Sequence, residues 1–463
     1  MLSGTTYGSF THTVASHPEG RAILGPLRGF AVGLGAAASG AMKDSRQRTL
    51  HRLGIFCGVA AALWLAGAEA PTKLVTVSVS PLVISFMMVF GAFVSRWSLP
   101  ALIRGTSDTF ADARHVSHLV VWGVMAGCLW AVGNTLTIFA VKDIGLSLAF
   151  PLWNSNSLVG ILWGTLLFKE LHRAGWLRKL GVIGGAVVIF SGAALLSVVS
   201  TSEAVHGNPY RGIAAAVGAG LMLGSMYIPY RKAYITGMNP LTFLTFFTFG
   251  EMTTVALLAI GSLGGPGALW RELVADRSIL FWPALGGFMW VVGDLFQNYA
   301  TKYVGISRGI PLSNTNQLWG LLWAILVFHE LHGMTGNIYA QVIGGSLLMA
   351  AGAVAIAFSS ASENEYSSWR EAAQREINLY RIDPTYVTTR MEGHELESEG
   401  GGRRTWLDWL LIAAAIFIFV ALGVMAKVPQ MEIQMGWLVA LSLAMLLVLI
   451  AGGVALWRIT KFT

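Results

Sequence analysis

The segment from Trp130 to His172 recurs from Trp290 to His332 without a gap, and 20 of its 43 positions are identical. Both copies, WAVGNTLTIFAVKDIGLSLAFPLWNSNSLVGILWGTLLFKELH and WVVGDLFQNYATKYVGISRGIPLSNTNQLWGLLWAILVFHELH, are too apolar for a soluble protein. The chain therefore reads as an internally duplicated membrane protein. Polar positions survive in both copies alongside apolar ones: Lys142/Lys302, Ser147/Ser307, Pro151/Pro311, Asn154/Asn314 and Asn156/Asn316. Duplication of a hydrophobic unit around shared polar groups is the pattern of secondary transporters, whose binding site lies near the membrane midplane between the repeats.

Composition agrees with a bilayer environment. The 463 residues are 54% hydrophobic and 12% charged, about half the usual charged share. A net charge of +7 would suggest nucleic acid in a soluble chain. Here the Lys and Arg gather in short segments between apolar runs, so membrane topology accounts for them and no nucleic-acid partner is expected. Cys57 and Cys128 lie inside apolar runs and read as buried, inert thiols, not a disulfide framework. Residues 1–50 lack the basic start, apolar core and small-residue site of a cleaved signal and read as a cytoplasmic extension. Gly35 to Gly40 has the spacing of a phosphate-binding loop, but Ala41 stands where its Lys is required, so no nucleotide site is expected there.

A span needs about 20 mostly apolar residues. On that rule helices are expected at roughly 53–72, 80–96, 118–141, 145–168, 176–199, 211–230, 240–262, 279–301, 305–328 and 337–359, followed by roughly 406–427 and 434–457. The repeat extends outward: Ala68 to Lys73 aligns with Tyr227 to Lys232, Ser80-Pro81 with Asn239-Pro240, and Gly184-Gly185 with Gly344-Gly345. Each repeat then holds five helices, and displacement by five spans inverts the second copy. The expected fold is an all-α polytopic membrane protein, a ten-helix bundle of two inverted five-helix repeats (51–200 and 211–360) plus a C-terminal two-helix transmembrane hairpin at 406–459. A polar segment at 361–405, with nine acidic and six basic residues between Ser360 and Arg404, reads as a solvated cytoplasmic linker. Within it Trp369, Ala373, Ile377 and Tyr380 form one stripe of a helix suited either to the membrane surface or to a solvated linker. Basic residues, including Arg96, Arg104, Arg114, Lys169, Arg173, Arg231, Lys232 and Lys302, accumulate on one side when both termini are placed in the cytoplasm, as a multi-pass protein of the cell (inner) membrane would have them.

Polar groups inside spans are costly and usually face a bundle interior or a water-filled cavity. Trp290, Asp294, Gln297 and Thr301 fall on one helical face, matched in the first repeat by Trp130, Asn134, Thr137 and Val141. Asp294 can change charge and its counterpart Asn134 cannot, which suits Asp294 to cation coupling; hydrogen bonding across helices or pairing with Lys302 is the structural alternative. Glu69 is the second acidic candidate, Glu251 a weaker one, and Arg308 is placed to snorkel or to compensate Asp294. Asn154 and Asn156, with Asn314, Asn316 and Gln317, follow Pro151 and Pro311. Amides that both donate and accept hydrogen bonds, beside Trp153 and Trp319, suit a polyhydroxylated neutral solute; helix-to-helix bonding is the alternative. Glu170/Glu330 and His172/His332 read as helix-end contacts. No metal-ligand cluster, cofactor motif or Ser/His/Asp arrangement is present, so neither an enzyme nor a cofactor is expected.

The inverted five-helix halves and the pattern Gly-Ile/Leu-Ser…Pro-Leu…Asn…Gly-Leu/Ile-Leu-Trp…Phe-x-Glu-Leu, at Gly145 to Leu171 and Gly305 to Leu331, resemble the drug/metabolite transporter superfamily and most closely its glucose/ribose porter group. The resemblance covers about residues 51–360, and the N-terminal extension and C-terminal hairpin depart from it. It implies sugar uptake driven by a cation gradient, usually H⁺, through a cavity between the halves. An exporter of drugs or metabolites with the same fold and a non-transporting receptor or scaffold are the competing readings; the many amides favour the first.

Overall fold

The computed structural model describes residues 45–71, 80–197, 208–329, 335–359, 361, 363–391, 404–428 and 433–462. All regular structure among them is helical. Two units are distinguished, Met1–Arg52 and Leu53–Thr463; of the first, only residues 45–52 are described. Among the described residues nine helices are long and apolar enough to cross a membrane: Ser45–Pro71, Pro81–Ile103, His118–Ala140, Trp176–Leu196, Pro209–Ile235, Pro240–Leu263, Gly336–Phe358, Trp406–Met425 and Met435–Thr460. The chain is a multi-pass membrane protein.

Local chemistry sets the helix starts. Asn239 accepts the Leu241 N–H at 2.9 Å before Pro240 opens its helix, and Asn208 accepts from Tyr210 and Arg211 at 3.0 and 3.3 Å. Each side chain satisfies amides that the first helical turn leaves unpaired, and the Pro has no amide to satisfy. Thr405 and Asp408 form a capping box that opens Trp406–Met425.

Paired glycines set the closest crossings. A Cβ on Gly287 would lie 1.9 Å from the Met88 carbonyl, and one on Gly91 2.1 Å from that of Ala284. Gly127 and Gly250 make the same kind of crossing, at 2.0 Å from the Phe247 carbonyl and 1.9 Å from the Val124 carbonyl. Gly185 packs on Gly352 and Gly192 on Gly345, joining Trp176–Ser197 to Gly336–Phe358. Small residues let helix backbones approach closely in a membrane, where burial of apolar surface gives little preference for one helix contact over lipid.

The structure differs from expectation in several places. The turn expected between spans at residues 142–144 is absent: one helix runs from His118 to Asn154. Asp143 is buried there and paired with Arg211 at 2.5 and 2.6 Å, and the interior Gly145 costs only about 1 kcal/mol, too little to end the helix. The fourth and ninth spans are broken instead of continuous. Asn156–Phe168 restarts after Ser155, and the repeat mate is split into Ile306–Ser313, Asn316–Leu322 and a π-helical turn at Trp323–Val327. Pro81–Ile103 continues through Pro100, seven residues past the expected end at 96, which places Arg96 inside the bundle and not in a basic loop. Lys232 and Lys302 are likewise buried. The polar segment is a docked strap. Helices Glu363–Tyr380 and Pro384–Met391 bury Trp369, Ala373 and Ile377 in one cluster with Tyr230, Phe243 and Ile310, so the apolar stripe faces protein and not the membrane surface.

Candidate functional site

Three helices converge on one buried charge cluster. Pro81–Ile103 supplies Arg96, Pro240–Leu263 supplies Glu251 and Phe281–Val304 supplies Asp294, and all three side chains are 0% exposed. Arg96 Nη2 donates to Asp294 at 2.7 Å, while its Nη1 bonds Glu251. The guanidinium lies 4.5 Å from the centre of the Phe247 ring and 5.1 Å from that of Trp290, an arrangement in which ring faces stabilise a desolvated cation. Asp294 also accepts from Asn298 at 3.0 Å and Tyr230 at 3.4 Å, and Tyr234 donates to Asn298. Glu251 Oε2 faces Thr248 at 3.5 Å, whereas its Oε1 has no hydrogen-bond partner. Fully ionised, two carboxylates and one guanidinium sum to one negative charge, with all three side chains fully buried. One proton makes the cluster neutral.

A second polar site lies at the helix breaks. Asn314 Nδ2 donates to Asn156 Oδ1 at 2.8 Å and to Ser157 Oγ at 2.5 Å, so amides from the two repeats meet. Gln297 Nε2 donates to Ser313 Oγ at 2.7 Å. Gln297 lies one turn beyond Asp294, so a single helix presents both the charge cluster and the amide junction. Gln317 Nε2 is buried and without a partner.

The remaining candidates take distinct places. Trp130 is buried and Trp290 half-buried, their rings 4.9 Å apart and tilted by 54°. Asn134 donates to Ser85 at 3.1 Å. Trp153, Asn316 and Trp319 are half-buried. The Asn154 side chain, Glu330 and His332 lie outside the described residues. Glu69 sits exposed in the last turn of its helix, whereas Asp294 and Glu251 are enclosed. Arg308 does not compensate Asp294: it pairs with Glu365 of the strap at 2.9 Å and donates to the Ser359 carbonyl at 2.7 Å. Arg96 and not Lys302 pairs with Asp294. Arg96 is a site residue that sequence reasoning missed, because it fell at the expected end of the second span and was counted among the basic residues of the cytoplasmic side.

The strap spans both repeats. Glu371 pairs with Lys169 at 3.1 Å and Arg173 at 2.9 Å, Glu376 with Lys232 at 2.9 Å, and Arg390 with Asp112 at 3.4 Å. The hydrogen bond from Lys169, reinforced by the positive charges of Arg173 and Lys169, holds the Glu371 carboxyl below the usual range for Glu. A cleft lined by Arg96, Leu99, Pro100, Leu241 and Leu244 shares Pro100 and Leu241 with a second one bounded by Arg104, Asp112, Asn239 and Arg390. One cleft borders Arg96 of the charge cluster and the other Arg390 of the strap.

Known proteins are similar in sequence to about half of this chain. A glucose uptake protein of Staphylococcus xylosus is 25% identical over 217 residues, 46% of this chain and 69% of that protein. A putative sugar uptake protein of Listeria innocua is 26% identical over 251 residues, covering 53% and 82%. A probable glucose uptake protein of Staphylococcus aureus is 26% identical over 269 residues, covering 53% and 83%. The Sugar transport protein family matches residues 101–262 and 268–386, a range that holds Asp294, Glu251, the amide junction and most of the strap. With the family matched over more than half of its length, the chain belongs to the sugar transport protein family.

Proposed function

We propose that the protein takes up a neutral sugar by proton-coupled symport and alternating access, with a proton carried by the Asp294–Glu251 pair around Arg96. One observation carries this reading: the two acids share a single cation in an enclosed site, and the helix bearing Asp294 also bears Gln297 of the amide junction. A proton shared by two coupled carboxylates belongs to the pair, not to one residue. Loading it removes the excess negative charge, and its departure frees Arg96 to redistribute between the two acids, which changes how three helices are tied. Asn156, Asn314 and Gln317 offer the sugar hydroxyls donors and acceptors without a charge, and Trp153 and Trp319, close to them in sequence, offer its apolar faces a flat ring. The relatives' names point to D-glucose as the first solute to test.

Alternation between two inverted five-helix halves, at 51–200 and 211–360, is supported by the glycine crossings. Gly91 with Gly287 and Gly250 with Gly127 are exchanged by the repeat alignment, as are Gly185 with Gly352 and Gly345 with Gly192. We place both termini in the cytoplasm, a reading supported by the basic residues that lie outside the spans, such as Arg104, Arg114, Lys169 and Arg173, and the cell membrane is the proposed location.

Asp294→Asn keeps the shape of the site while preventing that position from changing charge. In proteoliposomes the variant is expected to lose accumulation of D-glucose driven by a pH gradient while retaining counterflow exchange, which requires no net proton movement. Normal accumulation by the variant would remove Asp294 from the coupling role and leave Glu251, then Glu69, to be tested in the same way.

A further inference from the structure

The two copies of one motif have different conformations. At Gly145 the helix is continuous. At the equivalent Gly305, with φ of +83°, Phe281–Val304 ends and Ile306–Ser313 begins. A break leaves carbonyls unpaired on one side and amides on the other, and one buried ion pair serves both. Glu170 accepts the N–H of Ile306 at 3.1 Å and of Ser307 at 2.8 Å. Arg231 lies 2.7 Å from Glu170 and donates to the Thr301 and Lys302 carbonyls at 3.3 and 3.4 Å. Its guanidinium also rests 4.3 Å from the ring centre of Trp369 in the strap.

Space for this contact depends on two glycines. A Cβ on Gly164 would come within 2.9 Å of Glu170 Oε2, and one on Gly305 within 2.7 Å of Oε1. The second repeat retains the acid, as Glu330, but has Ala324 in place of Gly164, and the first repeat has Thr72 where the second has Arg231. Exposure along the matched stripes differs too: at their first position Trp130 is buried and Trp290 half-buried, and beyond it the sense reverses. Asp294, Gln297 and Thr301 are buried, while Asn134 and Thr137 are partly exposed.

We infer that Glu170, acting through Arg231, is a positioning residue whose capping of the Gly305 break holds the strap-side end of the site shut, and that transport requires this contact to open as the opposite end closes. The inference rests on the alternating-access reading. Release unties the end of the Asp294 helix from the start of the half-helix that carries Asn314 to the amide junction. The other copy of the motif has Thr72 and Ala324 where this contact uses Arg231 and Gly164, so the charged closure is argued for this end alone.

The test uses full-length protein with Cys57 and Cys128 replaced by Ser and a single reporter, Thr301→Cys or Thr137→Cys, labelled in oriented vesicles by a membrane-impermeant maleimide. In the parent, D-glucose should move the two labelling rates in opposite directions. Glu170→Gln, and independently Arg231→Gln, should raise the Thr301→Cys rate about tenfold or more and lower the Thr137→Cys rate, while Arg231→Lys should keep the parental pattern. A purely structural role would loosen both ends, so two rates rising together, or an unchanged Thr301→Cys rate in a monodisperse variant, would overturn the inference. If D-glucose moves neither reporter in the parent, alternating access itself fails and the inference with it.

Discussion

Arg96 determines what Asp294 and Glu251 can do, because neither acid has another cation within salt-bridge distance among the described residues. Removing one partner of a buried ion pair leaves an uncompensated charge in dry surroundings, which typically costs about 3–5 kcal/mol. Arg96→Met should therefore lower thermal stability strongly, read from the unfolding temperature in detergent. Glu251→Gln in the same chain should recover part of the loss, because the remaining excess charge falls from two to one. A double variant no more stable than Arg96→Met would contradict the shared-cation description. Asp294 was legible in the sequence as the ionisable member of a mid-span stripe. Its partner was not, since Arg96 has no counterpart in the second repeat and precedes a Pro that normally ends a helix. The amides of Asn156 and Asn314 were legible as a set, but their meeting across the two breaks depends on a helix arrangement that spacing alone does not encode.

At the scale of elements, the strap is held by an apolar stripe and by a row of ion pairs, of which Glu371 with Lys169 and Arg173 is the most open to solvent. The Glu371 carboxyl titrates below its ordinary value of about 4.3. A depressed folded value means that its contribution to docking is fully present above the unfolded value and is lost as pH falls through the folded one. A fluorophore on Arg370→Cys should therefore show high anisotropy at neutral pH and a decrease only below the ordinary Glu range. Glu371→Gln should lower anisotropy at neutral pH and remove that acid transition. A transition of the same size in the variant would assign it to another group. The stripe of Trp369, Ala373 and Ile377 was visible in the sequence, but its partner surface was not: an apolar helical face reads the same whether lipid or protein covers it. The helix breaks were hidden for a related reason. Apolar content identifies residues that belong in a membrane without revealing where the backbone interrupts within it.

For the whole molecule, close glycine crossings tie helices of one repeat to helices of the other, so movement at the charge cluster can be transmitted across the bundle. The C-terminal helices add to this frame: Asp408 accepts from the Thr106 amide at 2.6 Å, and Asn239 donates to the Phe462 carbonyl at 2.7 Å. Duplication, helical class and membrane character were all readable from residues 130–172 and their copy, because apolar periodicity and a gapless repeat need no tertiary information. In the proposed mechanism sugar movement is tied to proton movement through the Asp294–Glu251 pair. It is tested most directly by measuring D-glucose in proteoliposomes of the unaltered protein, with and without an imposed pH gradient. Proton-coupled symport predicts accumulation above the external concentration when the gradient is present, collapse on addition of a protonophore, and equilibration only when it is absent. Accumulation indifferent to the gradient and to the protonophore, or no D-glucose movement by folded, correctly inserted protein, would contradict it.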